Sequence, residues 1–263
     1  MSALPQRADD YVEFCGGVRR LAQVDLLQYK RGQMERRVRS FAGRHGAPGL
    51  LEYLELLGSD REKLDEFLDR ITINVSQLWR NPDQWRLLAE RVLPELAGTG
   101  RIRAWSAGCS YGAEAFTLAA LCRTVTPEAR LELRGTDIDA RMIERARAGR
   151  FSADDARSAP ADLLQRWFRR EGDEWVAAAE LRVLPSFEVG DLLRMSFPTG
   201  TYDLVLCRNT VIYFTEPVRD ALHERLAGAL RPGGYLVVGS TERVGSTAEL
   251  GLEPAYPFVY RKR

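Results

Sequence analysis

The sequence predicts an α/β fold: a small all-α N-terminal domain, then a mainly parallel sheet with helices on both faces. Three observations point there. Apolar residues up to about residue 90 recur at helical spacing, with no alternating β-branched run. From about residue 100, strand-like and helix-like stretches alternate. The first strand-like stretch also runs straight into a small-residue turn, as open parallel sheets do where they bind ligands.

Taken in order, Tyr11, Phe14 and Val18 mark one helix, Met34, Val38 and Phe41 a second, and Leu50, Tyr53, Leu54 and Leu57 a third. Gly43, Gly46, Pro48 and Gly49 break the chain once, and Gly58-Ser59-Asp60 break it again with an N-cap residue to hand. Strands are expected at Arg101–Ala107, Leu131–Thr136, Tyr202–Cys207 and Tyr235–Gly239, with helices at Ala113–Cys122, Ala140–Ala148 and Val218–Leu230 between them. Tyr256–Tyr260 is expected as an antiparallel edge strand. This divides the chain into 1–90, a helical domain and linker, and 91–263, the sheet domain.

Composition narrows the possible functions. The 263 residues carry 38 basic and 37 acidic side chains and are 45% hydrophobic, so neither global disorder nor a bulk electrostatic grip on nucleic acid is expected. No apolar stretch approaches the length of a membrane span, and the first residues lack a signal peptide's apolar run, so a cytoplasmic protein with no membrane insertion is expected. Cys15, Cys109, Cys122 and Cys207 form no C-x-x-C pair, and the two histidines, His45 and His223, have no zinc-ligand spacing; no metal is expected.

The strongest local signal is Trp105-Ser106-Ala107-Gly108-Cys109-Ser110-Tyr111-Gly112-Ala113-Glu114, a strand, a small-residue turn and a helix start. Three chemistries compete for it. A dinucleotide fingerprint would need glycine where Ser110 and Ala113 stand. The G-x-S-x-G elbow of hydrolases would need a late loop histidine, whereas His223 falls inside an amphipathic helix, where a solvated histidine is expected. The third is an S-adenosylmethionine site of the class I methyltransferase type, with an acid closing the second strand to receive ribose hydroxyls. Asp137 stands in that place, Asp191 where an adenine amino group could be received, and Cys207-Arg208-Asn209 at the carboxyl end of a further strand. Each acid taken singly is equally a helix cap or a loop residue.

The combination is more specific. Ile71-Thr72-Ile73-Asn74-Val75-Ser76-Gln77-Leu78-Trp79-Arg80, the glycine turn, Thr136-Asp137-Ile138-Asp139 and Cys207-Arg208-Asn209-Thr210-Val211-Ile212-Tyr213-Phe214 together resemble the chemotaxis-receptor glutamate methyltransferases, the CheR family, over nearly the whole chain. The resemblance implies a Rossmann-like class I methyltransferase sheet, a small all-α N-terminal domain and a small β-subdomain insert, expected at about residues 165–190. It implies S-adenosylmethionine as cofactor and methyl transfer to glutamates on the cytoplasmic helical domain of chemoreceptors. Carried over residue by residue, it gives Asn74, Ser76, Arg80, Gly108, Glu114, Asp137, Asp191, Leu192, Cys207, Arg208 and Asn209 cofactor-binding roles, and Arg80 and Tyr213 places at the transferred methyl. The family usually has Thr at the Ser76 position, and often Glu where Ala113 stands.

The chemistry is compatible with those roles. A glutamate is already a carboxylate at neutral pH, so transfer needs orientation and no general base. An arginine such as Arg80 is suited to hold a carboxylate, and an aromatic ring such as Tyr213 to face a cationic centre. Residues 30–44 carry a net +5, with Arg36, Arg37, Arg39 and Arg44 off the apolar stripe. In the family this helix is implicated in contacting acidic receptor segments, so these four are expected to bind the substrate protein. The insert looks short and lacks a Gly-rich turn, so no tether to a receptor's C-terminal peptide is expected.

Overall fold

The computed structural model describes residues 9–71 and 76–263. Its contacts group the chain into two units, Met1–Ile73 with Tyr213–Val218, and Asn74–Ile212 with Arg219–Arg263. The division falls before the expected limit at residue 90 for a packing reason. Trp85, Leu88, Val92, Leu93 and Leu96 are all buried in the core of the sheet unit, so the helical stretch bearing them belongs there.

The first unit holds α1 (Asp10–Ala22), α2 (Arg31–Arg44), α3 (Leu50–Ser59) and α4 (Arg61–Ile71). Asp9 caps α1 by accepting from the Tyr11 amide at 3.2 Å, and Asp60 starts α4 by accepting from the Lys63 amide at 3.2 Å. The apolar positions of α1 to α4 meet in an aromatic core of Phe14, Phe41, Tyr53 and Phe67, with Phe14 and Phe67 edge to face at 5.7 Å. Burying each such side chain contributes about 1.5–3 kcal/mol, which secures a unit this small. Tyr213–Val218 joins it through a bridge between Tyr29 and Phe214, whose rings lie 5.1 Å apart, and a bond from the Thr215 amide to the Gln28 carbonyl at 3.0 Å.

The second unit opens with α5 (Pro82–Leu87), a π-helical turn at Leu88–Val92 and α6 (Leu93–Ala97), one helix interrupted by Pro94. Proline has no amide to donate and its ring crowds the carbonyl four residues back, so the helix widens there. There follow β1 (Arg101–Ala107), α7 (Ala113–Val125), β2 (Arg130–Asp137), α8 (Ala140–Ala148), β3 (Arg150–Ser152), α9 (Ala161–Trp167), β4 (Phe168–Glu171) and β5 (Glu174–Ala177). The chain continues through α10 (Ala179–Arg182), β6 (Pro185–Val189), β7 (Tyr202–Cys207), α11 (Glu216–Ala229), β8 (Leu230–Val238), β9 (Leu252–Tyr256) and β10 (Val259–Lys262). The main sheet has the order β6-β2-β1-β7-β8-β10-β9, parallel from β6 to β8 and antiparallel beyond. Strand order reverses between β1 and β7, which opens a ligand crevice at their carboxyl ends.

Two expectations shift. The insert is a three-stranded sheet of order β3-β5-β4, so it begins by Arg150 and has closed by Ala177, whereas Pro185–Val189 is a strand of the main sheet paired with β2. Arg169, Arg170, Glu171 and Glu174 hide the insert's strands from any apolar pattern, and β6 buries only Pro185 and Phe187. The antiparallel strand expected at Tyr256–Tyr260 straddles a hairpin: Tyr256 ends β9, Val259 and Tyr260 begin β10, and Pro257-Phe258 make the turn, with Phe258 at a left-handed φ of 63°.

His223 is also corrected: it is 1% exposed rather than solvated, and neither ring nitrogen has a partner among the described residues. Burial, with the Arg219 charge, pushes its pKa down to about 4. The folded value lies below the unfolded one, so the neutral ring's stability is fully present above pH 6.5 and is lost as pH falls towards 4. Urea unfolding at pH 7.5 and 4.5 should therefore show a fall in stability that His223→Leu reduces by about 2.5 kcal/mol. Equal slopes for parent and variant would rule the titration out.

Candidate active site

The turn after β1 is built by backbone geometry. Gly108 has φ +80°, and a Cβ placed on it would lie 2.5 Å from Thr210 Oγ1, so glycine alone fits between the β1 and β7 ends. The Gly108 and Cys109 amides both donate to the Thr136 carbonyl, at 2.8 and 3.0 Å, which ties this turn to the end of β2. β2 closes on Asp137, a buried residue whose Oδ2 accepts from the Ser110 amide at 2.7 Å and whose Oδ1 accepts from the Asp139 amide at 3.0 Å. Burial outweighs these amides and pushes the Asp137 carboxyl up to about 6.

The neighbouring strand β6 ends level with β2, Val189 pairing with Asp137, so Asp191 and Leu192 leave the sheet at the same edge. Asp191 Oδ1 accepts from the Leu193 amide at 2.8 Å, and the buried Leu192 is held by Arg225 Nη1, which donates to its carbonyl at 2.6 Å. Arg225 was not foreseen, since a charged residue on a helix gives no sign that it reaches a loop.

Glu114, in the first turn of α7, and Arg208, just past β7, form a buried charged hub. Glu114 Oε1 accepts from Ser106 Oγ at 2.7 Å, and Oε2 from Arg208 Nη1 at 3.2 Å. The rest of the Arg208 guanidinium donates to Gln84 Oε1 at 2.9 and 3.0 Å, to the Arg80 carbonyl at 2.6 Å and to Asn81 Oδ1 at 3.3 Å. Its face lies over the Trp85 ring at 4.9 Å. Burial, with Arg80 adding like charge, pulls the Arg208 pKa down from its ordinary value. Arg208 therefore acts chiefly as a clamp on the Arg80 backbone. Trp79 and Asn81, on either side of Arg80, both adopt left-handed φ values, 53° and 60°, a costly conformation for a tryptophan. Trp85 Nε1 adds a second bond to the Arg80 carbonyl at 2.9 Å.

The preceding linker is pinned from the insert side. The Leu78 amide donates to the Asp155 carbonyl at 2.9 Å, and the single Tyr111 hydroxyl proton has the Ser76 carbonyl and Asp155 Oδ1 both within hydrogen-bonding reach. Asp155 also accepts from Arg145 Nη2 at 2.6 Å. Asn74 lies outside the described residues. Cys207 is a fully buried floor whose thiol pKa burial pushes well up, and all four cysteines are buried free thiols. Tyr213 groups with the helical unit, its carbonyl accepting from the Lys30 amide at 2.9 Å.

The arginines of α2 are not equivalent. Arg39 is spent on Asp10 and Glu35, and Arg37 donates to the Ile71 carbonyl at 3.1 Å. Arg36 and Arg44 are exposed and make no ion pair among the described residues. Gln84, which holds Arg208, and Asp155 and Tyr111, which hold the linker, are residues that sequence reasoning missed.

These residues fit S-adenosylmethionine. A buried acid closing β2 can accept from vicinal ribose hydroxyls, a cradle without room for a Cβ admits close backbone approach, and Glu114 offers an anion to an ammonium group. A sheet of this strand order, with that turn after β1 and that acid on β2, defines a class I S-adenosylmethionine-dependent methyltransferase. The chain belongs to the CheR methyltransferase family: that family's all-alpha domain matches residues 9–72 and its SAM-binding domain residues 74–253. The chain is 33% identical over 261 residues to the chemotaxis protein methyltransferase of Listeria innocua, covering 98% of this chain and 99% of that one. It is equally similar to the Listeria monocytogenes protein of that name, over the same spans. With chemotaxis protein methyltransferase 1 of Pseudomonas aeruginosa it shares 30% identity over 222 residues, 80% of this chain and 81% of that one. Among the described residues no helix is long and apolar enough to cross a membrane.

Proposed function

We propose that this methyltransferase esterifies glutamate side chains on the cytoplasmic helical domain of chemoreceptors, working in the cytoplasm. The observation that supports this best is the clamped Arg80, a guanidinium whose backbone Arg208 and Trp85 hold at the edge where Asp137 and Glu114 would hold the cofactor. Bound S-adenosylmethionine supplies a methyl group on a positively charged sulfur. Asp137 receives its ribose hydroxyls, Asp191 and Leu192 its adenine, and Glu114 its ammonium group. Arg80 orients a carboxylate by paired charge-assisted bonds. The glutamate oxygen takes the methyl as the carbon–sulfur bond breaks, and no proton has to move. Ser76, Asn74, Asn209 and Cys207 keep the cofactor-binding roles that the resemblance implies. Tyr213 keeps the role the resemblance implies, an aromatic ring offered to the sulfonium.

Recognition of the receptor falls to α2, and within it to Arg36 and Arg44, the two arginines not already engaged inside the unit. No C-terminal tether is needed: β4 and β5 are joined by the two residues Gly172 and Asp173, a turn that leaves no extended loop. Incubation with labelled S-adenosylmethionine and receptor-bearing membranes should give base-labile methanol, equally with receptors lacking their C-terminal peptide. Label on other substrates only, or none, would overturn the reading. Arg36→Glu with Arg44→Glu should raise the KM for receptor roughly tenfold while leaving cofactor affinity unchanged. An equal loss of both would remove α2 from recognition.

A further inference from the structure

Glu242 is a buried acid, 3% exposed, that none of the roles above uses. It follows β8 by four residues, and its own amide turns back onto the Gly239 carbonyl at 2.9 Å. Oε2 accepts from the Gly239 amide at 2.5 Å and from the Asn209 amide at 2.9 Å. The amides of Val211 and Ile212 also favour its charged form, although burial prevails and raises its pKa. Asn209 leads, two residues on, into the short 3-10 helix Val211–Tyr213. Asn209 itself sits at φ 58°, a left-handed conformation that needs an external hold. The surroundings leave no slack, because a Cβ on Gly239 would lie 2.6 Å from Glu242 Oε2 and 2.9 Å from the Asn209 amide. Oε1, meanwhile, has no hydrogen-bond partner among the described residues. A buried carboxylate with one oxygen unpaired is a poor stabilising device. What it contributes is geometry.

We propose that Glu242 is a positioning residue for methyl transfer, its carboxylate tying the Asn209 amide to the Gly239 turn and thereby setting the loop that leads to Tyr213. The carboxylate touches neither methyl nor substrate; it acts through the loop. This rests on the methyl-transfer function proposed above and deepens it, since it states what fixes the loop between the β7 floor and Tyr213.

The test uses the full chain and two routes to the same displacement. Glu242→Gln replaces one acceptor oxygen with an amide donor facing donors, and Gly239→Ala pushes the unaltered carboxylate off the loop. In both, kcat with receptor should fall about 100-fold, the cost expected of a misplacement near 1 Å, while affinity for S-adenosylhomocysteine weakens by less than about tenfold. Amide hydrogen exchange at Asn209, Val211 and Ile212, measured without cofactor, should accelerate in both variants relative to the parent. An unchanged kcat in either variant, or a parallel loss of kcat and cofactor affinity, would overturn the assignment. If the parent itself fails to methylate receptor, the substrate reading fails and the exchange rates decide this one: equal rates in parent and variants would overturn it.

Discussion

Replacing Asp137 with Asn should weaken affinity for S-adenosylhomocysteine by about 100-fold or more and leave the cofactor-free fold no less stable at pH 7. The two effects have one origin. The carboxylate is buried where desolvation pushes its pKa up to about 6, against donations from the Ser110 and Asp139 amides. A carboxyl whose folded pKa is raised is at its best relative to the unfolded chain when protonated. That advantage is present at low pH and is lost as pH rises from about 4 through 6, so the charged form costs the empty protein stability at neutrality. On the proposed role, two ribose hydroxyls would offset the cost, each hydrogen bond to a charged group being worth about 1.5–3 kcal/mol. The sign for binding follows. Affinity should be level above pH 6.5 and fall about tenfold for each pH unit below 6, while the Asn variant's weak affinity stays flat across that range. Calorimetric titration from pH 5 to 8, with thermal unfolding of the empty protein, checks both. Undiminished affinity in the variant would remove Asp137 from the ribose site.

The residues that announced themselves in the sequence are those whose role is set by chain position. Gly108 follows β1, Asp137 closes β2 and Asp191 lies two residues past β6, all at strand ends, where open parallel sheets place their ligands. Three of the first unit's four helices were legible because their apolar positions recur at helical spacing, whereas α4 was signalled only by the break and N-cap at Gly58-Ser59-Asp60 before it. What stayed hidden depends on contacts between residues far apart in the chain. At Arg208, nothing local says that its guanidinium is shared among Glu114, Gln84 and the Arg80 carbonyl. The same holds for α2, where four arginines look alike in a row and only packing separates Arg39, paired with Asp10, from Arg36. The insert was displaced because three- and four-residue strands rich in charge have no periodicity to read.

The Arg208 hub yields the largest expected loss of stability. Arg208→Met removes one partner of a buried pair and leaves the Glu114 carboxylate, itself buried, to face the core with only Ser106 donating to it. Breaking a buried pair this way costs about 3–5 kcal/mol, roughly 10 °C in Tm for a unit of this size. Removing the charge at both ends should cost much less, because a pair's desolvation penalty disappears with it. Arg208→Met with Glu114→Gln should therefore recover a large part of the loss, giving a coupling of several kcal/mol in a double-mutant cycle by urea unfolding. Activity should not recover with stability. The Met side chain cannot donate to the Arg80 carbonyl, so the left-handed backbone at Trp79 and Asn81 loses the Arg208 bond there and keeps the one from Trp85. The double variant should thus fold well yet turn over slowly, with Arg80 intact but misdirected. Full activity in a stable double variant would show that Arg208 serves the fold alone, and additive losses would show that the two charges do not act as a pair.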